Sequence, residues 1–278
     1  LFGLNKKDKK LNKINFESLY QKQKGFKRLS LGRFKQTKEL INLSRRWDLM
    51  AGRYPDLKVS AYMLILDDGR FAQLNHDLPL PAASSIKIPI LLTTLQLIDS
   101  GKIRWNELLE LTDDVVAGGA GWMALKPLGS IFPVHDVATE MIRISDNTAT
   151  NLLIKRVGGK DFLNSNFVSL GMKSTRINSL LPDLAGTNLT TAKDLALAIA
   201  IVDTGKVLSP RLRDTFREVM STSVTNRLIP GGLLKGLGVN DEDPDKSLLI
   251  RGFRVYNKTG DIGIAYSDAG LIELPDGR

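Results

Sequence analysis

Residues 83–92 read ASSIKIPILL, two serines at the mouth of a strongly apolar segment that runs from Ser85 to Asp99 with helical character. Residues three apart on a helix share a face, so the Lys87 amine reaches the Ser84 hydroxyl. Burial lowers a lysine pKa by penalising the charged form, and a neutral amine can take the serine proton. The helix N-terminus adds backbone N–H groups and a positive dipole end suited to a developing oxyanion. Taken alone, Ser-x-x-Lys equally describes a capping serine followed by a surface lysine.

Working outward, strands flank a helical centre. Thr37 caps a predicted helix whose Leu40, Leu43, Trp47 and Met50 share a face. Lys58 to Leu66 is apolar at nearly every position, a strand buried on both faces, and Asp67-Asp68-Gly69 turns it back into Arg70–Asn75. Beyond Asp99, helical patterns span Asp136–Ile144, Ala149–Val157 closed by Gly158-Gly159, Ala192–Thr204 closed by Gly205, and Pro210–Met220 with Ser209 as cap. Arg251–Lys258 and Ile264–Leu274 read as antiparallel strands joined through Thr259-Gly260. The expected class is α+β: one antiparallel sheet built from both termini, with an inserted all-helical lobe and an active site in the cleft between. The domain layout is a basic flexible leader over 1–36 and a folded domain over 37–278. Its sheet lobe covers about 37–83 and 222–278, its helical lobe about 84–221.

Composition narrows the chemistry. Of 278 residues, 42% are hydrophobic and 25% charged, which excludes disorder for the bulk of the chain. The longest apolar run, Leu195–Val202, is far short of the roughly 20 residues that cross a bilayer. The absence of cysteine excludes disulfides, thiol nucleophiles and thiolate metal sites, and two histidines, His76 and His135, leave a Ser-His-Asp triad short of candidates. No metal or cofactor is implied. The net charge of +9 is lopsided: residues 1–38 hold 12 Lys/Arg against Asp8 and Glu17, leaving 27 basic and 28 acidic residues for the rest. A nucleic-acid partner is therefore not expected. The leader reads as a solvated linker or as a segment drawn to anionic lipid headgroups. Leu1 in place of Met, beside this basic tail, leads to the expectation of an exported protein, periplasmic or membrane-anchored through a segment upstream.

Two further motifs follow Ser84-x-x-Lys87: Ser145-Asp146-Asn147 about sixty residues on, in RISDNTATNLLI, and Lys258-Thr259-Gly260 roughly 110 later, in NKTGDIGIAYSDAG. Each alone reads as a turn. In this order, the sequence resembles the class A β-lactamase-like family of penicillin-recognising serine hydrolases, from about Thr37 to Arg278. The resemblance implies a β-lactamase/transpeptidase-like fold and a β-lactam or peptidoglycan-derived substrate. It makes Ser84 the nucleophile, Lys87 its base, and Ser145 the proton relay to the leaving nitrogen. Asn147 would hold the substrate amide, and Lys258 and Thr259 its carboxylate. The backbone N–H groups of Ser84 and of Asp261, the residue after Gly260, would form the oxyanion hole. Trp122, in AGGAGWM, stands where the family often has an aromatic at the cleft mouth; a packed core tryptophan is the other reading. Asp146 reads as structural.

The departures matter equally. Aligning residues 175–185 on the family's Glu-x-x-Asn loop puts Leu181 at the glutamate that activates the deacylating water and Ala185 at the asparagine. Asp183, two residues on, reads as an exposed loop aspartate. The basic residue often found on the strand after Lys-Thr-Gly is not present in Ile264–Leu271. The family's last, central strand and C-terminal helix have no counterpart before Arg278, so the C-terminus is expected to be incomplete. Open alternatives are a D-alanyl carboxypeptidase or other serine amidase of this fold, and a penicillin-binding sensor that acylates without turnover. Removal of residues 1–38 is expected to abolish any binding to anionic vesicles, measured by co-sedimentation, and to leave hydrolase activity unchanged.

Overall fold

The computed structural model describes residues 35–224, 228–239 and 243–278; the basic leader through residue 34 lies outside the described residues. Helix α1 is Ile41–Ala51, later than expected, because the chain before it is used as an edge. Thr37 N–H donates to Gly69 O, Leu40 N–H to Phe71 O, and Glu39 forms a parallel bridge with Phe71. Thr37 is therefore no cap; its hydroxyl donates to Asp68 O. Nor is the predicted apolar face buried. Only Ser44 is enclosed, held by Glu39 and by Gln73 N–H, whereas Met50 is exposed. The expected long strand shortens to β1 (Ala61–Leu64), half-buried throughout and paired antiparallel with β2 (Phe71–Leu74) across the Asp67-Asp68-Gly69 turn.

After β3 (Leu80–Pro81) comes a tight 3-10 turn, Ala83–Ile86, and then α2 (Lys87–Asp99). Helix α2 is apolar all round, as a helix enclosed on every side must be. Its residues from Lys87 to Leu95 are buried, Pro89 sits in the first turn where no helical N–H is needed, and Thr93 and Thr94 return their hydroxyls to Pro89 O and Ile90 O. A short hairpin, β4 (Leu108–Glu110) with β5 (Ile131–Pro133), interrupts the otherwise helical middle. Helix α3 (Val134–Arg143) buries Val134, Val137, Ala138, Met141 and Ile142 at helical spacing. Helix α4 (Asn147–Val157) is capped by the Asp146 carboxylate on Ala149 N–H and stopped by Gly158 at φ 117°; Gly159 opens α5 (Gly159–Ser169), which the sequence pattern had not disclosed.

Strand β6 (Leu189–Thr190) pairs back onto β3, and Thr191 caps α6 (Ala192–Asp203). Helix α7 (Pro210–Ser221) begins at Ser209, whose contribution is its N–H, donated to Asp99, with no side-chain cap. Two more helices, α8 (Ile229–Gly236) and α9 (Pro244–Ile250), precede β7 (Arg254–Asp261) and β8 (Tyr266–Glu273). Thr259 and Gly260 are not the turn. They lie inside the ladder opposite Asp268 and Ser267, and the chain reverses over residues 262–265. The single sheet expected from both termini is seen as two separate antiparallel hairpins, β1–β2 and β7–β8, each packed on α6; no ladder joins them among the described residues. Strand β1 has β2 as its one strand partner among the described residues, which accounts for its half-exposure. Helix α2 touches α3 through α7 and is the axis of the core.

Leu91 is fully buried on that axis and Leu49 is exposed on α1. Urea denaturation is expected to show Leu91→Ala destabilised by about 2–5 kcal/mol and Leu49→Ala changed by no more than about 0.5 kcal/mol.

Candidate active site

Ser84 lies on the 3-10 turn, partly open to solvent between fully enclosed neighbours. Ala83 before it is held at φ 47°, a left-handed conformation that costs a non-glycine residue about 1–3 kcal/mol. Surrounding bonds impose it: the Ser85 hydroxyl donates to Ala82 O at 2.6 Å, and Ser267, from β8, donates to the same oxygen at 2.9 Å. The strain places the Ser84 side chain on the open end of α2.

Lys87 opens α2 and its side chain is wholly enclosed. Four oxygens surround its Nζ: Ser145 O at 2.7 Å, Ser145 Oγ at 2.9 Å, Asn147 Oδ1 at 3.0 Å and Ser84 Oγ at 3.1 Å. Two of these, a backbone carbonyl and an amide oxygen, can only accept. A neutral amine has two N–H donors for them and one lone pair left for a hydroxyl. Burial, with the Lys258 charge second, holds the Lys87 pKa well below the ordinary lysine value, against the opposing pull of Asp146. Ser145 can present both oxygens because its φ is 65°, and its hydroxyl lies 2.9 Å from Ser84 Oγ. Ser84, Lys87 and Ser145 thus close a triangle of hydrogen bonds.

Asp146 is structural. Its carboxylate caps α4 and also accepts from the N–H groups of Trp122 and Met123, and a Cβ on Gly121 would fall 2.2 Å from its Cγ. Asn147 is engaged at both ends of its amide, donating to Gly118 O while accepting from Lys87. Trp122 is tied to the site through its backbone. Its ring is half-buried edge-on against Phe132, its indole N–H donates to Glu140 Oε2 at 2.8 Å, and Lys126 stacks over it. The packed tryptophan is what the structure shows, with the ring's polar edge already used.

Strand β7 brings the third motif alongside. Lys258 is fully buried, and burial lowers its pKa to about 8, against the pull of Asp268. Gly260 is required by proximity: a Cβ there would lie 2.6 Å from Ser84 N, 2.6 Å from Ser267 Oγ and 2.9 Å from Ala83 Cβ. Only a bare backbone lets β7 run this close to the nucleophile's N–H. Asp261, at the exposed end of the strand, uses its carboxylate on Gly263 N–H.

The loop over 179–188 differs from expectation at Asp183, which is buried and not an exposed aspartate. It accepts from the Ser179 and Thr187 hydroxyls and from the Thr187 and Asn188 N–H groups. Burial would raise its pKa, but these bonds together prevail and lower it. Its lone pairs are committed to holding the loop. Leu181 is buried in the core cluster, its backbone gripped at both ends by Asn151, which accepts from Leu181 N–H at 2.9 Å and donates to Leu181 O at 2.8 Å. Asn151 was not singled out in the sequence, although it sits four residues after Asn147 on the same helix face.

The family model described as "Beta-lactamase enzyme family" matches residues 42–278. The chain belongs to the beta-lactamase enzyme family. Beta-lactamase VEB-1 of Pseudomonas aeruginosa is 26% identical over 226 residues, 74% of this chain and 69% of VEB-1. Beta-lactamase CARB-3 of Pseudomonas aeruginosa is 24% identical over 206 residues, 73% and 67% of the two chains. Among solved structures, PBP-A superposes with a TM-score of 0.79 at 36% identity, over 88% of this chain and 86% of PBP-A. A leucine-to-glutamate mutant of PBP-A, in acyl-enzyme complex with penicillin G, superposes with a TM-score of 0.79 at 36% identity, over 87% and 86%.

This β-lactamase-family protein is thus an α+β serine hydrolase of the class A β-lactamase-like family, the fold that the three motifs implied. Besides Asn151, two groups in its site lay outside the motif reading. Glu140 anchors the Trp122 indole, and Asp268 faces the strand that carries Lys258. Replacing Lys87 by Ala is expected to lower the rate of covalent modification by a β-lactam about 10²–10⁴-fold, read by stopped-flow acylation with a chromogenic cephalosporin. A wild-type rate would reduce Lys87 to a helix residue.

Proposed function

We propose that this protein is acylated at Ser84 by β-lactams and releases the product slowly. The observation that carries the reading is the pairing of a complete acylation cluster, Ser84, Lys87 and Ser145, with a buried leucine at position 181. Neutral Lys87 takes the Ser84 proton as Oγ attacks the lactam carbonyl carbon. The carbonyl oxygen becomes an oxyanion between the N–H groups of Ser84 and Asp261. Collapse breaks the C–N bond, and Ser145 passes a proton from Lys87 to the leaving nitrogen. An ester on Ser84 and a free amine result. Asn147 adjoins the substrate amide, and Lys258 with Thr259 receives the substrate carboxylate.

Hydrolysis of that ester needs a base for water, worth several factors of ten. Leu181 offers none, and the Asp183 carboxylate is occupied by four loop donors. A mutant of PBP-A, a relative at 36% identity, forms an acyl-enzyme complex with penicillin G, which supports acylation as the step this site carries out; a base for water is what Leu181 leaves out. The same feature favours a second reading, a penicillin-binding relative whose physiological substrate is a peptidoglycan-derived peptide.

Intact-protein mass after penicillin G treatment is expected to show a long-lived adduct, mapped to Ser84, with a burst of about one product per protein before slow turnover. Leu181→Glu is expected to speed the slow phase. Rapid hydrolysis without a burst would make Asp183 or another group the deacylation base, and a label outside Ser84 would defeat the assignment.

A further inference from the structure

Two lysines are buried in one site, and the proposed chemistry asks opposite things of them: Lys87 neutral to accept a proton, Lys258 charged to receive a carboxylate. Burial pushes both toward the neutral form, and the Lys258 charge presses Lys87 further that way. Something must separate them. On the Lys87 side stands Asp146, whose carboxylate is spent on three backbone N–H groups. On the Lys258 side stands Asp268 of β8, directly opposite Thr259 in the ladder.

Asp268 holds more of β7 than any single bond would suggest. Its two carboxylate oxygens lie 3.0 and 3.1 Å from Asn257 Nδ2, the Thr259 hydroxyl bonds to it, and Oδ2 accepts from Ile229 N–H at 2.9 Å, pinning the start of α8 to the strand. Residues 257 and 259, the two neighbours of Lys258, are thus fixed by one carboxylate. Glu273 of β8 stands opposite Arg254 in the ladder, and Arg217 and Glu218 of α7, Asp245 of α9 and Arg254 itself line a cavity of about 480 Å³ together with Asn257. The charges that line the cavity are balanced in sign.

We propose that Asp268 is a positioning residue of this site: it fixes the segment of β7 that carries Lys258 and Thr259, and with it sets the electrostatic surroundings in which the enclosed Lys258 works. The strand on which the family resemblance finds no basic residue therefore carries an acidic one that acts through Lys258. The consequence for catalysis rests on the reading of Lys258 as the group that receives the substrate carboxylate. Burial raises the pKa of Asp268 itself, partly countered by its bonds, so its influence on Lys258 grows as the pH rises.

The test titrates Lys258 directly, by NMR of ¹³C-lysine-labelled protein with the resonance assigned through Lys258→Arg. In the wild type Lys258 is expected to lose its proton at about 8. Asp268→Asn and Asp268→Ser are expected to lower that point by about one pH unit or more, and Asp268→Glu to hold it closer to the wild-type position. Circular dichroism verifies that each variant is folded. An unmoved Lys258 titration in a folded Asn or Ser variant overturns the proposal, whatever happens to activity. The alkaline limb of penicillin G acylation should move down with Lys258, with the half-saturating concentration at pH 8 rising about fivefold or more and the limiting rate changing less than about threefold. If the titration moves while acylation keeps its profile, Asp268 retains its assigned role and the assignment of Lys258 to the substrate carboxylate falls.

Discussion

A lysine amine enclosed on every side is the constraint from which the rest of the site follows. With no solvent to hydrate its charge, Lys87 is cheaper to carry as a neutral base, and the surrounding oxygens match that state. Keeping it enclosed requires a helix that is itself enclosed, which is why α2 is apolar on all faces and why α3 through α7 gather round it. Core and catalytic base are here one feature.

Strain and close approach are concentrated at the same place. Ala83 and Ser145 both adopt left-handed backbone conformations, one exposing the Ser84 hydroxyl and the other turning two Ser145 oxygens onto Lys87. Gly260 lets β7 pass within contact of Ser84 N. These costs are sustained by the bonds around them: Ser85 and Ser267 on Ala82 O, Asp146 on three N–H groups. The loop over 179–188 is equally fixed, since Asn151 clamps Leu181 and Asp183 ties Ser179 to Asn188. The part of the site that would direct water is built as firmly as the part that acylates, but without a free carboxylate.

The sequence disclosed the motifs because their chemistry demands particular residues at particular spacings: Ser84 with Lys87, Ser145 with Asn147, Lys258 with Gly260. Helices with an apolar period and a clear stop, such as α3 and α4, were equally legible. Elements whose boundaries are decided by distant partners were not. Thr37 looks like a cap until Gly69 pairs with it, and Lys58–Leu66 looks like a long buried strand although only Ala61–Leu64 enter the ladder, half-buried. Thr259-Gly260 looks like a turn, but the glycine is there for Ser84 and Ser267, not for chain reversal. Asp183 looked exposed for the same reason, because its four donors come from residues that the loop must fold to deliver. Asp268 and Asn151 carry no local signal at all; their importance lies in what the fold sets opposite them.

The pH dependence of the second-order acylation rate constant with penicillin G tests the neutral-lysine account most directly. A Lys87 held well below the ordinary lysine range by burial gives a rate that reaches its plateau well before the pH at which a solvated lysine loses its proton. It falls on the acid side as Lys87 gains a proton, and declines above about 8 as Lys258 loses its charge. A rate that climbed about tenfold per pH unit through neutrality up to about pH 10 would mean that Lys87 keeps the pKa of a solvated lysine, and would contradict the account.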